Sequence, residues 1–372
     1  MKISFLIYSL GAGGAERSAA SRANYLSSKK EWDVSIITFA GIEEDFYRLN
    51  PEIKRISLKE NCGIKGGLIN NLKRIYFLRR YLKDLKPDIL ICEMPAANII
   101  GIMASFTMSH KVIIEERIHP PKMELPLIWK ILRKVLYRFS DGCAALTVKT
   151  ADWLKENCGC DTEAIPNFIS YPLGGETQEP QYEIRKLSDK KIILALGRLD
   201  YQKGFDILIN AFSKISKKYP KWDMVIVGEG SLRKELEKLS QTLDLAERIH
   251  LPGNTLNPSF WYKKASIFVL SSRYEGFPNV LLEAMSYGLP SISFDCETGP
   301  SDIIKNGENG ILLKDISQEN LREAMENLIL DERLREKISK EAVKVRETFS
   351  KEKICFLWEI FLNKVKYKQR HV

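Results

Sequence analysis

Ile267-Phe268-Val269-Leu270 is an apolar run without polar alternation, the pattern of a strand buried on both faces of a parallel sheet. A loop, Arg273-Tyr274-Glu275-Gly276-Phe277-Pro278, separates it from a helix. Asn279 opens that helix as a favoured N-cap, and Val280, Leu281, Ala284 and Met285 recur behind it at helical spacing. Gly288 and Pro290 close the helix, and Ser291 to Phe294 follows as a second strand. A strand–loop–helix–strand unit of this kind is the crossover that joins parallel strands, so the stretch reads as part of an α/β fold. Its loop then sits at the carboxyl end of the sheet, where open α/β sheets bind ligands.

Two carboxylates frame this loop. Glu275 stands before the helix and Glu283 eight residues later, on it. Free backbone N–H groups near Asn279 and Val280, at the positive helix end, make an anion site between them, with Gly276 and Phe277 in the same loop. Acids on both flanks of phosphate-binding amides suit a nucleotide-sugar. Either glutamate alone reads as a local cap or a solvated helix residue; the pair points to a ligand. A second strand–loop–helix unit runs through Lys191 to Leu196, then 197–203, then a helix over 204–219. There Arg198 and Lys203 bring two cations to a helix N-terminus, a grip for a diphosphate.

The first half alternates in the same way, with strands expected at 2–8, 34–39, 53–58, 89–92, 111–114, 143–147 and 162–165. The loop after the first strand carries Gly11, Gly13 and Gly14, but Glu16 occupies the third glycine position of a dinucleotide fingerprint. What remains is a turn at Gly13-Gly14-Ala15-Glu16-Arg17 that either lets backbone approach a ligand closely or simply turns tightly. Glu115-Glu116-Arg117-Ile118-His119-Pro120 is another loop after a strand end, and His119 reads either as solvated or as a functional side chain.

The formal charge of +9 is concentrated between Arg48 and Arg138 and suggests an anionic partner. A helix over 69–86 carries Lys73, Arg74, Arg79, Arg80, Lys83 and Lys86. A second, over 125–139, sets Leu125, Ile128, Trp129, Leu132, Val135, Leu136 and Phe139 against Lys130, Arg133, Lys134 and Arg138. Such a stripe fits core packing or an anionic membrane surface. No apolar run is long enough to span a bilayer, and the first residues lead into a glycine loop, as a strand does and a signal peptide does not. Seven scattered cysteines give neither zinc spacing nor a disulfide framework. The chain divides into domains over 1–168 and 191–349, a polar linker over 169–190 and a tail over 350–372.

EGFPNVLLEAMSYGLP resembles the E-x7-E signature of the family-4 retaining glycosyltransferases, which have the GT-B fold. Ala195 to Phe205 is similar to that family's G-R-L-x-x-x-K-G, and Gly13-Gly14-Ala15-Glu16 to its N-terminal G-G-A-E. The resemblance implies two doubly wound Rossmann-like domains facing across a cleft, with a tail helix crossing back to the first. It implies sugar transfer with retention by front-face attack. Glu283 would hold the nucleotide ribose and Glu275 the donor sugar, with Gly13, Gly14 and Glu16 facing the donor. Glu116, Arg117 and His119 would line the same cleft, although some members have His directly after the Glu, where this chain has Arg117. Metal-dependent glycosyltransferases of the other common fold need a D-x-D and none occurs here, so no metal is expected, and Arg198 and Lys203 would stabilise the leaving diphosphate in its place. The donor would be a UDP-sugar, with no further cofactor, and the acceptor a polyprenyl-diphosphate-linked saccharide for surface polysaccharide. The protein would be cytoplasmic, peripheral at the inner face of the plasma membrane. The rivals are a sugar-nucleotide epimerase or hydrolase of the same fold and a basic nucleic-acid binder. The last lacks the aromatic-and-glycine motifs of such modules and leaves the second half unexplained.

Overall fold

A computed structural model of the chain describes residues 1–63, 67–173, 187 and 189–369. Parts of two expected segments, the loop at 63–67 and the linker at 169–190, therefore lie outside the described residues, as does the very end of the basic tail. The chain forms two compact units, Met1–Asn167 with Ile354–Val372, and Phe168–Lys353.

The sheet of the first unit comprises β1 (Lys2–Ile7), β2 (Asp33–Thr38), β3 (Lys54–Ser57), β4 (Ile89–Glu93), β5 (Lys111–Glu116), β6 (Gly142–Ala145) and β7 (Thr162–Ala164). Their order is β3-β2-β1-β4-β5-β6-β7 with every neighbouring pair parallel. The apolar runs account for this: all five residues of β4 are buried, as a central strand covered on both faces requires. Leu6, Ile37, Leu90, Cys92 and Ile114 form one core with Leu78 and Leu82 of helix Leu68–Leu85 and with Ile99 and Ile100 of helix Pro95–Ser105. Much of helix Lys351–Tyr367 belongs to this unit. Phe361 and Val365 lie so close to β6 that a Cβ on Gly142 would meet Val365 at 2.9 Å.

Helix Leu127–Leu136 reverses part of the expected amphipathic pattern. Trp129, Leu132 and Leu136 pack toward the core, but Leu127, Ile128, Ile131 and Val135 are exposed. Arg133, expected on the wet face, is instead buried, its guanidinium 5.6 Å from the Trp153 ring centroid. The stripe is narrower than its apolar residues because a helix lying on a sheet hides only one side.

The second unit contains β8 (Lys191–Leu196), β9 (Trp222–Val227), β10 (Ile249–Gly253), β11 (Ile267–Leu270), β12 (Ser291–Phe294) and β13 (Ile311–Leu313), ordered β10-β9-β8-β11-β12-β13 and parallel throughout. Helix Phe205–Ser216 packs Leu208, Ile209 and Phe212 into a core with Met224, Ile226, Val269, Met325 and Leu328. Helix Asn279–Ser286 begins one residue earlier than expected: Pro278 takes the cap position and Asn279 is already the first helical residue. Strand order reverses between β1 and β4 in one sheet and between β8 and β11 in the other, so each has a switch point at its carboxyl edge.

Candidate functional site

Two loops meet at the switch point of the second sheet. One leaves β8 and turns through Tyr201–Lys203; the other leaves β11 and runs to Pro278. Gly204, at φ +62°, lets them touch: a Cβ there would stand 2.1 Å from the Ser271 carbonyl oxygen. Ser271 Oγ donates back to the Lys203 carbonyl at 2.8 Å. Arg273 clasps the other side, pairing both guanidinium ends with Asp206 at 2.9 and 2.6 Å while its Nη1 also donates to the Tyr201 carbonyl. Its N–H donates to the Gln202 carbonyl, and the Gln202 amide donates to that of Tyr274. Asp206 is held below the usual carboxylate range by the Arg273 hydrogen bond and charge, which outweigh the larger single effect, burial.

This scaffold presents Lys203 and Glu275 to each other. Lys203 Nζ lies 2.6 Å from Glu275 Oε1, which also accepts Ser272 Oγ at 2.6 Å. Thr298 Oγ1 donates to the Glu275 carbonyl, fixing the backbone as well. Glu275 and Glu283 are both buried, and Glu283 Oε2 accepts the Tyr262 hydroxyl at 3.0 Å. Asn279 and Val280 begin their helix between the two acids, so first-turn amides stand beside this cluster. Gly276 occupies the loop, and Phe277 is buried with its ring packed on Phe349 at 5.8 Å. Arg198 does not join Lys203: its side chain is 77% exposed and reaches Asp200 on its own loop at 3.5 Å. The site offers the half-buried Lys203 as a cation for an anion, and the buried carboxylates of Glu275 and Glu283 for hydroxyl groups. Burial, then the Glu275 charge, pushes the nearby Cys296 thiol up to about 12.

At the carboxyl edge of the first sheet the sequence-selected residues separate. The Glu16 carboxylate folds over Gly13, where a Cβ would meet its Oε2 at 2.1 Å, and the Tyr47 hydroxyl donates to the Gly13 carbonyl. Gly14 begins helix Gly14–Ser27. Glu115 and Glu116 point to opposite faces of β5, as successive strand residues must. Glu115 joins a buried cluster: Arg22 reaches Glu93 at 2.7 Å and Glu115 at 2.5 Å, and Arg117 reaches Glu115 at 2.7 Å and Asn167 at 2.8 Å. Glu116 instead accepts the Tyr137 hydroxyl at 2.5 Å, and its buried Oε2 has no hydrogen-bond partner among the described residues. Burial pushes the Glu116 carboxyl up to about 7 against the Tyr137 hydrogen bond. His119 is not solvated: it is buried, with Nδ1 at 3.0 Å from Thr150 Oγ1 and its ring edge-on to Trp153. Arg22, Glu93, Arg273, Asp206 and Tyr262 were not singled out by sequence. Arg22 carried a usable signal, a charged residue among Ala19, Ala20, Ala23 and Leu26 on the core-facing side of its helix.

Known families divide along nearly the same boundary as the two units. Residues 12–171 match the domain described as glycosyltransferase family 4, and residues 177–345 that described as glycosyl transferases group 1. An uncharacterized glycosyltransferase of Haemophilus influenzae is 30% identical over 364 residues, covering 96% of this chain and 99% of that protein. A Campylobacter jejuni protein, GalNAc-alpha-(1->4)-GalNAc-alpha-(1->3)-diNAcBac-PP-undecaprenol alpha-1,4-N-acetyl-D-galactosaminyltransferase, is 31% identical over 352 residues, 91% of each chain. Among solved structures, HepE of Anabaena in complex with UDP superposes with a TM-score of 0.80 at 18% identity, covering 98% of this chain and 100% of that one. That likeness shows the GT-B fold. With both halves matched and relatives aligned end to end, the chain belongs to the family 4 glycosyltransferases.

Proposed function

We propose that this glycosyltransferase moves a hexose or N-acetylhexosamine from a UDP-sugar to a polyprenyl-diphosphate-linked saccharide, with retention of anomeric configuration, in surface polysaccharide assembly. The observation that carries the reading is the Lys203–Glu275 pair at the switch point of the second sheet, with Glu283 on the adjoining helix. Lys203 would meet the diphosphate as negative charge accumulates on it, with Arg198 free to swing in from solvent and helix-end amides beside them. Glu275 would accept from the donor sugar and Glu283 from the ribose. Transfer then needs no metal, since charge on the leaving group is met by Lys203, held in place by Glu275, and by Arg198 moving in from solvent, in keeping with a sequence without D-x-D. The Campylobacter relative, whose name specifies an undecaprenol-diphosphate acceptor, supports the choice of acceptor class.

A lipid-linked acceptor brings the enzyme to a membrane. No described helix is long and apolar enough to cross one. Leu68, Ile69, Leu72 and Tyr76 on one helix and Leu127, Ile128, Ile131 and Val135 on another are exposed beside Lys73, Arg80, Lys130 and Lys134. Both helices pack on Pro95–Ser105, so the two faces suit peripheral docking on anionic lipid. Arg79 and Arg133 leave the set of candidate cations: Arg79 donates to the Ala104 and Phe106 carbonyls, and Arg133 is buried.

The experiment is a transfer assay with a panel of labelled UDP-sugars in excess EDTA, with and without polyprenyl-diphosphate saccharide. Acceptor-dependent product with the donor's anomeric configuration supports the reading. Sugar released to water alone, or a magnesium-restorable loss in EDTA, contradicts it.

A further inference from the structure

Glu283 is held by something other than its own helix. Tyr262, in helix Pro258–Lys264 and 1% exposed, donates its hydroxyl to Glu283 Oε2 at 3.0 Å. The Tyr262 ring lies stacked on Tyr287, with centroids 5.5 Å apart and planes 27° off parallel, and meets Phe268 edge-on. Tyr287 in turn packs edge-on against Tyr171 at 5.1 Å, and its hydroxyl accepts the Leu173 N–H at 3.1 Å. Arg346 locks the arrangement from outside: its guanidinium sits 3.4 Å from the Tyr171 centroid, and its Nε donates to the Ser286 carbonyl at the end of the Glu283 helix. A continuous stack therefore runs from Tyr171–Leu173, just inside the start of the second unit, to the carboxylate of Glu283.

We infer that Tyr262 is the positioning residue for Glu283, and that the Tyr171–Tyr287–Tyr262 stack makes ribose binding sensitive to how the start of the second unit is seated. The inference rests on the proposed reading of Glu283 as the ribose acceptor. A carboxylate free to rotate takes many orientations; one whose Oε2 is tied to Tyr262 is held in a single orientation, and geometry of this kind governs how much a polar contact yields. Tyr262 touches no substrate in this scheme. Its hydroxyl restrains Glu283, and its ring is restrained by Tyr287, whose own hydroxyl is tied to Leu173.

Calorimetric titration with UDP and with 2′,3′-dideoxy-UDP tests this, because the ratio of the two affinities isolates the ribose hydroxyls and is independent of the fraction of protein folded. Wild type favours UDP. Tyr262→Phe, which keeps the ring stack and removes only the hydroxyl, lowers that preference about tenfold, the scale of a hydrogen bond to a charged group. Tyr171→Ala lowers it about threefold, on the scale of losing one aromatic pair, and Glu283→Gln abolishes it. If Glu283→Gln abolishes the preference while Tyr262→Phe leaves it at the wild-type value, the positioning role is wrong and the ribose assignment stands. Tyr262→Phe acting while Tyr171→Ala does not overturns the coupling to the start of the unit. A preference that survives in Glu283→Gln overturns the ribose assignment, and with it the inference.

Discussion

Lys203 Nζ rests 2.6 Å from Glu275 Oε1, although the two residues come from different loops at the carboxyl edge of the second sheet. Each side chain is largely buried, so neither charge is well screened by water. On the proposed function, a diphosphate beside Lys203 would share its cation with Glu275, which would give the two residues separable roles. Lys203→Gln is expected to cut kcat/KM about 10²-fold and to weaken UDP itself, the scale of losing one donor to a developing anion. Glu275→Gln should lower kcat with little change in UDP affinity. Steady-state kinetics together with UDP calorimetry check this, and the reverse pattern would exchange the two roles.

Gly204 makes the meeting of the loops possible. An alanine there carries a left-handed φ, costing roughly 1–2 kcal/mol, and places its Cβ 2.1 Å from the Ser271 carbonyl. Gly204→Ala should lower Tm by about 5 °C or more, at roughly 2–4 °C per kcal/mol for a domain of this size, and raise KM for donor. Unchanged Tm and KM would mean that the loops are not fastened through this point.

Glu116 gives the first unit a dependence on pH. Its folded pKa is raised by burial to about 7, above the ordinary carboxylate value. The folded protein therefore binds the proton more tightly than the unfolded chain. Stability from this group is complete below the unfolded pKa and drains away as pH rises from about 4.5 to about 7, with a slope of at most about 1.4 kcal/mol per pH unit. Glu116→Gln retains an acceptor for Tyr137 and cannot ionise. Thermal unfolding from about pH 4.5 to 8 should show wild type losing stability relative to the variant through that window. Parallel curves would show that Glu116 does not titrate there.

The basic and apolar faces of helices Leu68–Leu85 and Leu127–Leu136 should bring the enzyme to anionic vesicles at low salt, each cation contributing about 1 kcal/mol. Charge reversal at Lys73, Arg80, Lys130 and Lys134 should abolish co-sedimentation, whereas wild type should detach as salt screens the contact. Equal pelleting of both proteins, or of neither, would show that these faces do not dock on lipid.

The parallel sheets were legible because fully apolar strands such as 267–270 and 89–92 admit no other environment. The Glu275 loop was legible because it follows such a strand. What sequence did not reveal is direction. Nothing local distinguishes Glu115, which joins Arg22 and Arg117, from Glu116, which turns to Tyr137; the alternation is plain only once the strand is known to reach Glu116. Arg198 and Lys203 read as a pair because they share a loop, yet Lys203 is drawn to an acid from another loop while Arg198 stays in solvent. Charge alone puts Arg133 in water, but its guanidinium lies over the face of Trp153, a helix contact that no periodicity encodes.

Hydrogen exchange with and without UDP tests the placement of the donor most directly. Protection is expected over 197–204, 271–284 and 298–302, where the loops carrying Lys203, Glu275 and Thr298 converge, with Lys203→Gln reducing it throughout. Protection confined to 11–17 and 115–120 of the first unit, or none in the second unit at saturating UDP, would contradict that placement.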